Sequence, residues 1–188
     1  MDSKRTGFSP RLGALIIDVV LVMAAAIVIG PLIGGLVGAA AMTQVAEATG
    51  ESASEGAAAG GLIGAIGGLV LGAPIIGGLY FLTEIFLGAS AGKLLTGLRI
   101  AGANGEPLAL QKRLLRYAAK HPHFLLGTVG SLTGLSALTS LGGVLGLIAF
   151  CGCFAAISEK RQALHDLIAG TAVFPKAALQ AAPGVAPA

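Results

Sequence analysis

Few residues in this sequence could do chemistry, and most of them sit in or beside long apolar runs. His165-Asp166 is an imidazole next to a carboxylate, the raw material of a base and its orienter. No serine or cysteine motif accompanies it, and adjacent residues on a helix point in different directions. His121-Pro122-His123 offers two imidazoles. Two ligands alone make a poor metal site, and a bend before the following apolar run is the better reading. Cys151-Gly152-Cys153 holds both thiols of the chain. That spacing rarely meets disulfide geometry, and no histidine or second cysteine pair lies near in sequence. The pair reads as small apolar filler. Gly88 to Lys93 resembles a phosphate loop only superficially. Such a loop needs four residues between its first glycine and Gly-Lys, then Ser or Thr. Here there are three, followed by Leu94. No catalytic residue, cofactor site or metal site is expected, and no enzyme.

The ionisable residues inside apolar runs are more informative. Asp18 is the only charge in residues 12–42, and Glu84 the only one in residues 60–88. Charges at such depth are expensive and usually paired. Arg11 stands seven residues before Asp18, on the same helix face and roughly 10.5 Å along the axis. Either Arg11 anchors at the interface while Asp18 pairs with another helix, or both belong to a transport path. Glu84 lies near the end of its run, within snorkelling reach of the interface.

The elements that carry these residues are membrane helices. The 188 residues are 55% hydrophobic and only 11% charged, with 30 glycines, and the mean hydropathy is +0.87. A soluble domain carries roughly 25% charged residues. The formal charge of +3 is modest, and no basic stretch is interleaved with stacking aromatics, so no nucleic acid partner is expected. The run 12–42 far exceeds the roughly 7–15 apolar residues of a signal peptide, although Lys4 and Arg5 precede it. A kink is expected at Gly30-Pro31 or Pro74. The third run, 124–157, holds no charge and is long enough to turn at residues 136–143 and cross as two short spans.

Charge placement arbitrates. Residues 43–59 hold Glu47, Glu51 and Glu55 and none of the twelve Lys and Arg. Loops rich in Lys and Arg stay cytoplasmic. The expected fold is therefore an all-α membrane protein, a bundle of about four transmembrane helices or else three. Both termini would lie in the cytoplasm. Glycines recur every four residues at Gly30, Gly34 and Gly38, at Gly60, Gly64, Gly68 and Gly72, at Gly130 and Gly134, and at Gly142 and Gly146. Such stripes allow close helix contact, within the chain or in a homo-oligomer.

Between the second and third runs a small cytoplasmic segment is expected, with a β-hairpin and an amphipathic helix. Asn104-Gly105 is a tight-turn signal. Residues 98–101 and 171–174 read as short strands that lie close together. In residues 108–120, Lys112, Arg116 and Lys120 fall on one helix face, suited to the anionic headgroups of a lipid bilayer.

The ordered set of motifs resembles the RDD family of bacterial membrane proteins. Arg11 and Asp18 stand in Arg-Leu-Gly-Ala-Leu-Ile-Ile-Asp. Gly88, Ser90, Gly92 and Lys93 form the loop motif, followed by Gly97-Leu98-Arg99-Ile100. Arg116 is similar to a later arginine, and residues 161–171 supply the closing motif with His165 and Asp166. The resemblance implies one membrane domain, about residues 1–176, with an Ala/Pro-rich disordered tail at 177–188. It also implies a transport role for an ion or small solute, without naming one. The alternative is a non-transporting scaffold or accessory subunit whose polar residues lock the fold. Arg11, Asp18, Glu84, Lys93, Arg116, His165 and Asp166 are the candidate polar network in either case.

Cysteine labelling in intact cells tests the orientation. Ser54→Cys should react with an impermeant reagent from outside and Ser3→Cys should not; the reverse pattern overturns it.

Overall fold

In the computed structural model, residues 4–180 are described. They divide into two compact units. The first ten residues or so of helix α1 (Phe8–Thr49) belong to one unit and the rest to the other.

One unit is the helical hairpin Val19–Leu79, formed by the later part of α1 and most of α2 (Ala53–Phe81). The expected loop at 43–59 shrinks to residues 50–52. Ala, Glu, Gln and Met are good helix formers, so both helices run on past the apolar stretch. Gly50 then stops α1 at φ 76°, and Glu51 N–H donates back to the Ala46 carbonyl at 2.8 Å. The hairpin closes through glycines. A methyl placed on Gly34 would run into the Gly64 carbonyl, and the same holds for Gly38 against Gly60 and Gly30 against Gly68. Backbone therefore meets backbone, with no side chain between. These stripes, considered above for a homo-oligomer, face each other inside the chain. At 42 residues α1 is roughly 63 Å long, and it continues through Pro31 as α2 does through Pro74.

The other unit holds residues 4–18 and 80–180 of the described chain. After α2 come α3 (Thr83–Leu87), α4 (Ala91–Leu95), strand β1 (Leu98–Gly102), α5 (Leu110–Lys120), α6 (Pro122–Thr133), α7 (Ser136–Gly152), a 3-10 turn (Cys153–Ile157), α8 (Leu164–Ala169), strand β2 (Thr171–Pro175) and α9 (Lys176–Gln180). The strands pair antiparallel, Leu98 opposite Pro175 and Gly102 opposite Thr171. They are not a hairpin, because four helices separate them in sequence. The tight turn at Asn104 closes β1 instead, with Gly105 N–H on the Gly102 carbonyl. Thr6 N–H adds the N-terminal segment to the sheet through the Val173 carbonyl. Ala14, Leu98, Ile100, Leu108 and Val173 form the buried core, so the start of α1 is fastened to the sheet.

Three helical stretches are long and apolar enough to cross a membrane: Phe8–Thr49, Ala53–Leu87 and Ser136–Ile157. The fourth expected span is absent among the described residues. At 12 residues α6 reaches only about 18 Å of the ~30 Å hydrocarbon core. The turn falls at Gly134, not within 136–143, because Gly134 adopts φ 71° and ends α6 in the left-handed conformation. Helices α6 and α7 then pack antiparallel, Gly142 against Leu126 and Gly146 against His123. Helix α9 takes in the first residues of the expected tail; residues 181–188 lie outside the described part.

Two glycine substitutions should separate. Gly64→Ala should lower thermal stability in detergent by about 1–3 kcal/mol through overpacking. Gly67→Ala, which meets nothing within 4 Å, should be neutral or raise it by up to about 1 kcal/mol through helix propensity. Equal shifts would contradict the meshed interface.

Candidate functional site

The site begins with three carboxylates that share one physical problem: all are buried. Asp18, Glu84 and Asp166 have 0%, 4% and 0% of their surface exposed. Each must find donors inside the protein, since an unmatched buried charge is strongly destabilising.

Asp18 finds neutral donors. Tyr80 O–H donates to Oδ1 at 2.6 Å, Ser90 O–H to Oδ2 at 2.6 Å and Gly92 N–H to Oδ1 at 2.7 Å. The loop after α3 makes this fit. Gly88 takes φ 67° and reverses the chain. Ser90 stands at the N-cap of α4 but makes no side-chain cap to it. Asp18 accepts the exposed first-turn N–H in its place. The approach is so close that a methyl on Gly92 would strike the Ala14 carbonyl and the Asp18 carboxylate. That close approach is why position 92 is glycine.

Glu84 finds cations. Lys93 Nζ lies 2.5 Å from Oε1, Lys120 Nζ 2.8 Å from the same oxygen, and Arg116 Nε 3.8 Å from Oε2. Glu84 therefore does not snorkel to the interface. Lys120 also covers the Phe81 ring at 4.2 Å. Burial pushes the Lys120 ammonium down to about 8 against the opposing pull of Glu84. It likewise pushes the Arg116 guanidinium down to about 10.

Asp166 is the third acceptor. Arg11 donates to Oδ2 at 2.5 Å, and Arg116 pairs with Oδ1. Ala163 N–H donates to Oδ2 at 3.1 Å, so the carboxylate caps its own helix α8 from the third position. Arg11 also donates to the carbonyls of Arg161 and Thr6, which ties α1 to the chain on both sides.

These groups join in one line. Ser90 donates to Asp18 and accepts from Lys93 at 3.2 Å, Lys93 holds Glu84, Arg116 spans Glu84 and Asp166, and Arg11 closes the end. Arg11, Asp18, Glu84, Lys93, Arg116 and Asp166 thus come together. His165 is buried beside them, its Nε2 3.8 Å from Asp166 Oδ1 and its Nδ1 without a hydrogen bond. Burial first, then Arg116, hold this imidazole well below its usual range, so it stays neutral.

The basic stripe on α5 faces the other way from the expectation. Arg116 is 3% exposed and Lys120 is turned onto Glu84. Only Lys112 remains outside, paired with Glu106 at 3.1 Å. Periodicity placed the three on one face; the buried carboxylates decided that the face points inward. Tyr80, Ser90 and Lys120 complete the network and were absent from the expected set. Ser90 lies in the loop motif, which was the one available signal; Tyr80 carried none.

A family model described as the RDD family matches residues 5–170, most of the chain. No curated protein and no solved structure matches.

His121 generates a pH prediction. It is buried at the junction of α5 and α6, stacked on Phe81 with ring centroids 4.9 Å apart. Burial, then Lys120, push it down to about 3. Between pH ~6.5 and about 3 the unfolded chain binds a proton here that the folded chain refuses, so stability falls as pH falls. His121→Phe should flatten that acid slope in thermal melts; an unchanged slope would show that His121 does not contribute.

Proposed function

We propose that this chain, which belongs to the RDD family of integral membrane proteins, is a small transport protein that moves an ion or small solute. It is not an enzyme in this reading. It sits in the bacterial inner membrane with both termini in the cytoplasm, since the loops rich in Lys and Arg would then stay inside; α6 is too short for a full span, and in this reading the antiparallel α6–α7 pair enters and leaves the membrane on the cytoplasmic side as a re-entrant hairpin. The supporting observation is Asp18. It is a fully buried carboxylate on a membrane helix, bound by two hydroxyls and one N–H, with no cation in contact. The other two carboxylates are already matched by cations. In this reading a small cation is held where Asp18 meets only neutral donors. Ser90 and Lys93 connect it to the rest of the network, which gives a route for charge to leave.

A second reading has its own support. Residues 19–46 and 56–79 hold no charged side chain, and glycine backbones meet directly across the hairpin. A membrane scaffold or accessory subunit, with the network locking the fold, needs no polar path there.

Purified protein in liposomes loaded with pH and ion indicators separates the two. Under the transport reading, Asp18→Asn abolishes flux while folded protein is recovered in the usual amount. Under the scaffold reading the wild type shows no flux. A variant that loses folded protein and spares flux per molecule would also exclude Asp18 from the path.

A further inference from the structure

Two arginines stand apart from the network. Arg99 Nη1 donates to the Leu87 carbonyl at 2.6 Å. Arg113 Nη1 donates to the Ile85 and Phe86 carbonyls at 3.1 and 3.2 Å, and its Nε to the Leu108 carbonyl. Both guanidiniums thus gather around the last turn of α3, at the end of the candidate span Ala53–Leu87. Among the described residues no carboxylate pairs with either. By contrast Arg11, Lys93, Arg116 and Lys120 are all matched by acids, and so is Lys112. Arg99 retains Nε and Nη2, and Arg113 retains Nη2, as donors with no protein acceptor.

The surroundings of this charge pair are apolar and open. Phe86 is 74% exposed and Leu87 54%. Leu110 and Leu114 share a face of α5 beside Arg113 and are 59% and 49% exposed. Leu95 on α4, four residues before Arg99, is 73% exposed. Two unneutralised cations at the end of a membrane span, ringed by exposed Leu and Phe, match an amphiphile with an anionic head and apolar chains. A soluble anion would leave the apolar ring uncovered, and an uncharged lipid would leave the charge uncovered.

We propose that Arg99 and Arg113 form a binding site for the phosphate headgroup of an anionic phospholipid, whose acyl chains cover Phe86, Leu87, Leu95 and Leu114. The free guanidinium N–H groups donate to phosphate oxygens, as arginine's planar fork suits. Carbonyl contacts on the inner side hold the side chains in place, so little freedom is lost on binding. The lipid surface expected for α5 is thereby moved from its basic stripe, which is buried, to its leucine face and these two arginines.

Native mass spectrometry of the full chain in detergent tests the site, with phosphatidylglycerol titrated against phosphatidylcholine. The wild type should retain one phosphatidylglycerol and show no such preference for phosphatidylcholine. Arg99→Gln/Arg113→Gln should weaken phosphatidylglycerol retention roughly 30-fold. Lys112→Gln, which removes one exposed charge elsewhere on the same helix, should leave it unchanged. Because Arg113 also braces α3, Arg99→Gln alone serves as the second variant and should weaken retention by about 5-fold. Equal retention of the two lipids by the wild type, or an equal loss in Lys112→Gln, would overturn the proposal.

Discussion

The burial of three carboxylates is the constraint on which this protein's folded segment depends. A carboxylate removed from water must be matched inside the protein. Asp18 is matched by hydroxyls and a backbone N–H, Glu84 by Lys93 and Lys120, and Asp166 by Arg11 and Arg116. The donors come from α1, α4, α5, the end of α2 and the loop before α4. Most of these ion pairs join elements that are distant in sequence: Arg11 and Asp166 are separated by 155 positions and Lys120 and Glu84 by 36, while Lys93 and Glu84 are only 9 apart.

The sheet depends on the same ties. Its strands are short and non-local, and two strands alone are marginal. What holds them is the core of Ala14, Leu98, Ile100, Leu108 and Val173, together with the caps that Asp166, Arg5 and Gln162 place on the surrounding loops. The two units solve the problem of order in opposite ways. The hairpin uses contacts without polar side chains, glycine backbone on glycine backbone. In lipid no hydrophobic drive separates helix from tail, so close van der Waals approach does the work. The other unit uses charge, in a place where low dielectric makes both the pairing and its loss count heavily.

The three carboxylates differ in what holds them. Glu84 and Asp166 are bound by cations that fix geometry. Asp18 is held by two hydroxyls and one backbone N–H. One residue type is thus accommodated in two ways, by neutral donors and by cations. The same reasoning separates the basic residues. Arg11, Lys93, Arg116 and Lys120 face acids, whereas Arg99 and Arg113 face backbone carbonyls.

The sequence alone determined the membrane class and the family, and it singled out Asp18 and Glu84, because charge is so scarce in this chain that an ionisable group within an apolar run stands out. It also indicated the two strand segments, the turn at Asn104-Gly105 and the glycine stripes. It did not determine the number of crossings, since whether 34 uncharged residues make one span or two depends on where the chain turns, and a glycine at positive φ puts that turn at Gly134, leaving α6 short. Nor did it tell which way α5 faces. Periodicity puts Lys112, Arg116 and Lys120 on one side of a helix, but lipid headgroups and buried carboxylates attract cations alike. Only the tertiary structure decided between them, by bringing Glu84 and Asp166 to the same place. Tyr80 was invisible for a related reason: a hydroxyl at the end of an apolar run has no pattern of its own, and its role exists only once Asp18 stands 2.6 Å away.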